Sequence, residues 1–231
     1  MSALSGGQVI EVKDITKTYT IDGQVLKAVD NVSFQVRKGE MVSIMGHSGS
    51  GKTTLLSLIG GLTKPDAGQI MIGGINLWSL TDDSLSELRN QRINFIYQFS
   101  SLIPTLTTIE NVILPTTFGG RGKDTDGYAR ELLGIVGLQD KMNSYPSHLS
   151  GGQQRRVAIA RAFINRPEIL LADEPTGDLD EETEKEVIAL FHRMNEEKGI
   201  TFVIVTHSKE IAGQAKRQFT MTNGILSPIA S

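Results

Sequence analysis

The sequence predicts an α/β fold, and three observations carry that reading. Short apolar runs at Met41–Met45, Phe95–Tyr97, Ile169–Ala172 and Phe202–Val205 have the unbroken hydrophobicity of strands buried in a parallel sheet. Helical stretches separate these runs, as strand–helix–strand crossings require. The first 45 residues instead hold closely spaced short strands and turn signals, which adds an antiparallel sheet at the amino-terminal side.

Taken in order, Val9–Val12, Thr18–Ile21, Val25–Val29 and Val32–Val36 read as strands, with Asp22-Gly23 as a tight hairpin turn. Met41–Met45 runs straight into Gly46, and a helix follows over Lys52–Leu62 with Leu55, Leu56, Leu58 and Ile59 apolar. Between Gln98 and Ser150 the texture changes. Helical stretches at Thr108–Leu114 and Asp126–Val136 are joined by Pro, Gly and Ser, so this segment reads as a helical lobe inserted into the sheet-based core. Helices recur at 151–165 and 181–198, and the chain closes on a hairpin around Asn223-Gly224.

Composition narrows the function classes. The 231 residues are 39% hydrophobic and 21% charged, enough apolar material for a buried core. With 23 Lys and Arg against 26 Asp and Glu the net charge is −3, which speaks against a nucleic-acid binder relying on bulk positive charge. No cysteine is present, so disulfide frameworks, thiolate metal sites and cysteine nucleophiles are excluded. Met1–Gln8 lacks a basic and apolar leader, and no run approaches the roughly 20 apolar residues of a membrane helix. A soluble intracellular chain is expected.

The strongest local signal is Gly46-His47-Ser48-Gly49-Ser50-Gly51-Lys52-Thr53, with Thr54 behind it, a full G-x-x-x-x-G-K-[ST] loop between a strand and a helix. Its glycines let the backbone aim several N–H groups at one anion, and the helix adds the positive end of its dipole. Lys52 supplies a mobile charge for the β- and γ-phosphates, and the Thr53 hydroxyl is a hard oxygen ligand for Mg²⁺. The plain alternative is a glycine-rich turn with a surface lysine. Ile169–Ala172 delivers Asp173 and Glu174 at its carboxyl end, where α/β folds place ligands. Asp173 suits Mg²⁺, directly or through water, and Glu174 can polarise a water for in-line attack on the γ-phosphorus. Alone, the pair would equally be an acidic strand cap.

Leu149-Ser150-Gly151-Gly152-Gln153 opens a second anion cradle, with Ser150 as N-cap of a well-formed helix. One γ-phosphate needs one cradle. If the second cannot reach the chain's own nucleotide, it must serve that of another copy, which predicts a head-to-tail homodimer with two ATP buried between the subunits.

With these residues in hand, the chain resembles the nucleotide-binding subunits of ATP-binding-cassette (ABC) transporters over nearly its full length. Five motifs stand in the family's order: Gly46–Thr53, Gln98, Leu149–Gln153, Asp173-Glu174 with Asp180, and His207. The resemblance implies a P-loop NTPase core of the RecA-like kind, formed by residues 1–97 and 151–231 and including the antiparallel β subdomain, with residues 98–150 as the helical signature subdomain. It implies ATP and Mg²⁺ as the ligands. Gln98 would link metal and water to the membrane-facing lobe, and His207 would contact the γ-phosphate. Ser150, Gly151, Gly152, Gln153 and Asp180 would meet the opposite subunit's nucleotide, with the Gly177–Asp180 turn communicating between sites. Tyr19 matches the adenine-stacking aromatic, or is a strand residue covering the core. His47 is expected to act through its backbone.

Leu88–Phe99, Leu102–Pro104, Thr107–Pro115 and Ala172–Asp180 further resemble the lipoprotein-release and macrolide-export (LolD/MacB-like) class. That likeness implies transmembrane permease partners of the MacB, LolCE or FtsX type, a place on the cytoplasmic face of the inner membrane, and export or extraction. Two rivals stay open: a soluble ABC ATPase acting on DNA or ribosomes, and an ATP-dependent cassette that recruits a membrane or cell-division complex without transport. Plainer readings cover Glu181–Glu186 as a solvated helix start and Arg155 and Arg156 as helix-surface residues. The apolar stretch after Gln98 serves either docking of a membrane subunit or core packing.

Overall fold

Two sheets, one antiparallel and one mainly parallel, set the frame. A computed structural model describes residues 7–119, 124–177 and 179–229. Residues 1–6 of the Met1–Gln8 segment read for a leader, and Asp178 of the Gly177–Asp180 turn, lie outside that range. The amino-terminal hairpin joins β1 (Gln8–Ile21) to β2 (Gln24–Arg37). Its turn residues Asp22 and Gly23 both take left-handed backbone, φ 49° and 77°, the conformation that closes a two-residue hairpin with the right twist.

The four short strands expected here are two long ones. The ladder between β1 and β2 slips register between Val12 and Ile15 and again before Thr18, and Asp14 and Asn31 sit at φ 48° and 52°. Short polar side chains tolerate that conformation, so a bulge absorbs the residues that looked like turns. After β3 (Met41–Met45) comes α1 (Lys52–Ile59), which stops at Gly60-Gly61 rather than reaching Leu62. Gly60 lies so close to Phe95 that an added Cβ would fall 1.9 Å from its ring.

The stretch that follows carries three elements with little sequence signal. Strand β4 (Ala67–Ile72) pairs with β1, and the two-residue β5 (Ile75–Asn76) completes a sheet of order β2-β1-β4-β5. Helix α2 (Asp82–Arg92) starts at the Thr81 cap, with Asp82 and Asp83 in its first turn and Arg89 and Arg92 in its last, as the helix dipole favours. It leads into β6 (Ile93–Ile96), which begins two residues earlier than the apolar run suggested.

The helical lobe holds α3 (Thr108–Ile113), capped reciprocally by Thr107 and Glu110, a 3-10 extension over Leu114–Phe118, and α4 (Thr125–Ile135). Helix α5 (Gly151–Phe163) carries it back to the core, followed by β7 (Ile169–Asp173), α6 (Glu181–Lys198) and β8 (Thr201–Thr206). A short α7 (Lys209–Ala212) precedes the closing hairpin of β9 (Arg217–Thr222) and β10 (Ile225–Pro228), turned by Asn223 and Gly224 at φ 50° and 82°. The second sheet runs β10-β9-β3-β8-β7-β6, with β9, β3, β8, β7 and β6 parallel. The fold is thus a mixed α/β one with an antiparallel sheet and a helical lobe, as expected.

Alternation along the parallel strands divides the core in two. Ile44, Leu171 and Val203 face α1 and the antiparallel sheet, where Ile10, Ile15 and Ile70 are fully buried. Leu170, Phe202 and Ile204 face the other way, onto Phe163 of α5 and Phe191 of α6. Val112 and Leu132 of the lobe join this second cluster, so the lobe is anchored through α5. Among the described residues no helix is long and apolar enough to cross a membrane.

Candidate functional site

Parallel pairing brings the motifs together. Met45 lies opposite Thr206 and Asp173 opposite Val205, so the loop after β3, the acidic pair after β7 and His207 after β8 emerge at one edge of the sheet. They border a cleft of about 630 Å³. His47, Ser48, Gly49, Gly51, Lys52, Thr53 and Thr54 form one wall. Asp173, Glu174, His207, Gln98 and Tyr19 line the same cleft.

The loop needs its glycines. Gly49 and Gly51 have φ 78° and 105°, and a Cβ on Gly51 would stand 2.0 Å from the Ala28 carbonyl oxygen. Gly46 and Ser50 do not line the cleft but build the wall behind it. Ser50 is buried and its carbonyl accepts from Gly224 at 3.0 Å, which ties the loop to the last hairpin. Its Oγ has no hydrogen-bond partner among the described residues. The buried Lys52 ammonium donates to the carbonyls of Gly46 at 2.7 Å and His47 at 3.0 Å, crossing the mouth of the loop.

Burial pushes the Asp173 pKa above its ordinary value, the nearby Thr53 hydroxyl opposes that, and the neighbouring Glu174 adds to it. Glu174 stands at φ 45°, left-handed backbone that a non-glycine residue rarely takes. Its Oε2 accepts from the Thr206 hydroxyl at 2.9 Å, and its Oε1 lies 2.9 Å from His207 Nδ1. Because a carboxylate only accepts, the proton of that contact is assigned to the imidazole.

Ser150–Gln153 and Asp180 are not part of this cleft. Ser150 accepts from the Gln153 amide at 3.2 Å while the Gln153 side chain accepts from the Ser150 amide at 3.0 Å, a closed capping box. Asp180 caps α6, accepting from Thr183 N at 2.9 Å. Bonds from Thr183 hold its carboxyl below the ordinary range.

Leu26 and Ala28 also line the cleft, though neither was singled out. Leu26 pairs with Tyr19 across the β1–β2 ladder, so the two form one apolar shelf; the cross-strand register, unreadable past the bulges, was the missing signal. Arg155 corrects an expectation. It is 3% exposed, not on the helix surface. Its Nε donates to Pro175 O at 2.8 Å, and its two Nη groups donate to the carbonyls of Tyr97 and Glu174. Strand ends leave carbonyls without ladder partners, and a guanidinium with five donors satisfies several at once. Arg156 is half-buried, donating to Val136 O at 3.1 Å.

Known proteins share this chain's sequence and fold. The family model described as ABC transporter matches residues 29–177. The chain is 43% identical over 223 residues to the macrolide export ATP-binding/permease protein MacB of Syntrophobacter fumaroxidans, covering 95% of this chain and 31% of that protein. It is likewise 43% identical over 221 residues to the lipoprotein-releasing system ATP-binding protein LolD of Cytophaga hutchinsonii, covering 95% and 99%. The chain therefore spans about a third of the MacB relatives and nearly all of the LolD ones. Its fold matches a dimeric post-hydrolysis structure of the ATP-binding cassette MJ0796, a Methanocaldococcus jannaschii protein, bound to ADP and Pi. That match has TM-score 0.89 and 41% identity, over 96% of this chain and 99% of the other.

Proposed function

This chain belongs to the ABC transporter family, and from that membership we propose that it is the ATP-hydrolysing subunit of an export or extraction machine of the LolD/MacB kind. Two copies close head to tail around two ATP. The pair sits on the cytoplasmic face of the inner membrane and drives permease subunits of the MacB, LolCE or FtsX type. The observation that carries the reading is the meeting of Lys52, Thr53, Asp173, Glu174 and His207 in one cleft from three strand ends.

The loop amides and the start of α1 bind the phosphates, and Lys52 exchanges its carbonyl partners for β- and γ-oxygens. Thr53 and Asp173 suit Mg²⁺: both offer hard oxygens, and both line the same cleft. Among the described residues no group of three or more His, Asp or Glu could hold a metal, so Gln98 of the same cleft, with phosphate and water oxygens, would supply the remaining ligands, in keeping with the habit of Mg²⁺. When bound, Mg²⁺ neutralises charge on the β- and γ-phosphate oxygens. The adenine stacks on Tyr19 against Leu26.

Glu174 takes a proton from the attacking water as the water oxygen bonds to the γ-phosphorus and the bond to the bridging oxygen of ADP breaks. His207 turns from Glu174 to the γ-phosphate, which frees the carboxylate for water. Gln98 stands at the cleft edge on the way to the helical lobe. Ser150, Gly151, Gly152, Gln153 and Asp180 complete the site of the second copy. The dimer binds ATP more tightly than ADP plus phosphate, so hydrolysis opens it and moves the lobes.

Phosphate release by the purified chain with MgATP tests the hydrolysis, and sedimentation of Glu174→Gln tests the pairing. The expected results are steady turnover in the wild type, and a turnover-deficient Glu174→Gln that becomes dimeric in ATP. Adding Ser150→Arg to that variant should return it to monomer with its nucleotide still bound. No phosphate release from the wild type, or wild-type turnover in Glu174→Gln, would overturn the catalytic reading. An ATP-bound Glu174→Gln that stays monomeric would overturn the pairing.

A further inference from the structure

We propose that Arg155 is a positioning residue for Glu174, tying the start of α5 to the two strand ends that carry Gln98 and Glu174. The proposal rests on the hydrolytic reading above and adds to it a physical link between the signature helix and the catalytic carboxylate.

Arg155 sits five residues after the Ser150 cap, in the second turn of α5. From there its guanidinium reaches the carbonyl of Tyr97, the residue before Gln98, and the carbonyls of Glu174 and Pro175 beyond β7. One planar group thus contacts backbone oxygens on two separate segments, the Asp173 carbonyl at 3.5 Å included. A planar fork with fixed donor directions can do this, whereas a lysine ammonium on a flexible stem cannot hold both segments at set angles.

Glu174 is where such a hold matters. Its φ of 45° places it in backbone that persists only when neighbours enforce it. The enforcing contacts are visible: Glu174 N donates to Val205 O at 2.9 Å, Gly177 N donates to Glu174 O at 3.1 Å, and Arg155 adds its bond to the same oxygen. Thr206 and His207 hold the side chain. Of these contacts, Arg155 is the one that comes from α5. Among the described residues, a shift of that helix therefore reaches the Glu174 main chain through this side chain.

The Gln98 segment is gripped by the same helix. Arg161, about two turns on, donates to Ser100 O at 2.7 Å and Ser101 O at 2.9 Å. Arg155 holds the residue before Gln98, and Arg161 holds the residues after it. Movement of α5, whose first residues would meet the second copy's nucleotide, is thereby coupled to Gln98 and Glu174 together.

The discriminating variant is Arg155→Lys, which keeps the charge and loses the fork; Arg155→Gln, with two neutral donors, is the second. For Arg155→Lys the expected result is kcat lower by roughly ten- to a hundredfold, the cost of a small misplacement at a reacting group. KM for MgATP should stay within about threefold, because uniform binding is untouched. In the Glu174→Gln background the lysine variant should leave MgATP affinity and ATP-driven dimerisation unchanged and add no further loss of turnover, since Arg155 acts through Glu174.

Four results would overturn the proposal. They are an Arg155→Lys protein that turns over like wild type, a loss of MgATP affinity that matches the loss of rate, an additive loss in the double variant, or failure of both the Lys and Gln variants to fold. Absence of turnover in the wild type itself would instead strike the hydrolytic reading.

Discussion

The Nδ1 of His207 lies 2.9 Å from Oε1 of Glu174, and the imidazole is mostly exposed while the carboxylate is largely enclosed. Nδ1 cannot serve the carboxylate and a γ-phosphate at once, so contact with phosphate through this nitrogen requires the ring to leave Glu174. His207→Ala should therefore bind MgATP normally but lose roughly a hundredfold or more in kcat, the scale of a misplaced acid–base group. Equilibrium binding together with phosphate release measures the split. A variant that loses affinity instead would make His207 a binding residue.

Asp173 trades stability for its role. Burial raises its pKa, so folding disfavours its charged form. For a carboxylate raised in this way the penalty is absent below the unfolded value of 3.8 and complete once pH exceeds the raised folded value. Asp173→Asn should accordingly melt higher than wild type at pH 7, and the gain should shrink as pH falls towards 3.8. The same variant should lose Mg²⁺-dependent turnover. Melting curves at several pH values, beside hydrolysis assays with and without Mg²⁺, check both halves.

Asp66 has the opposite sign. Bonds from Lys17 and from the Thr18 amide and hydroxyl lower its pKa from 3.8 to about 2. Its contribution is present above 3.8 and lost as pH falls through about 2. Because Thr18 precedes Tyr19, this tie also steadies the apolar shelf. Asp66→Ala should melt lower than wild type at pH 6, with the gap closing only below pH 3.8, and should weaken MgATP binding a few-fold. An Asp66 carboxyl resonance titrating near 3.8 in the wild type would contradict it.

Features set by neighbouring residues were legible in the sequence, and features set across space were not. The Asp22-Gly23 and Asn223-Gly224 turns, the loop from Gly46 to Thr53 and the Ser150 cap depend on local backbone and side-chain chemistry, and the fold class follows from the apolar runs between them. Helix α2 was missed because Leu85 and Leu88 are its only buried residues, too few to show a period. Strand β5 is two residues long and exists through its pairing with β4. Arg155 stands in the polar run Gln153–Arg156, which reads as a solvent face. Its burial depends on carbonyls some 20 and 58 residues away in sequence.

Two glycines separate what the chain needs for itself from what it offers another copy. Gly51 has φ 105°, and an added Cβ would stand 2.0 Å from the backbone oxygen of Ala28. Gly51→Ala should destabilise the fold by about 2 kcal/mol or more and abolish nucleotide binding. Gly151 opens α5 without a left-handed φ, and nothing within 4 Å would meet its Cβ. The fold therefore gives no reason for a glycine there, and alanine in the first turn should leave stability unchanged or raise it by about 0.4–1 kcal/mol. If the space above Gly151 is reserved for the partner's triphosphate, Gly151→Ala should still bind MgATP as a monomer. It should fail to form the ATP-driven dimer in the Glu174→Gln background. Calorimetry and sedimentation on the two variants decide the matter: a Gly151→Ala protein that dimerises normally would leave its open surface without a purpose in pairing.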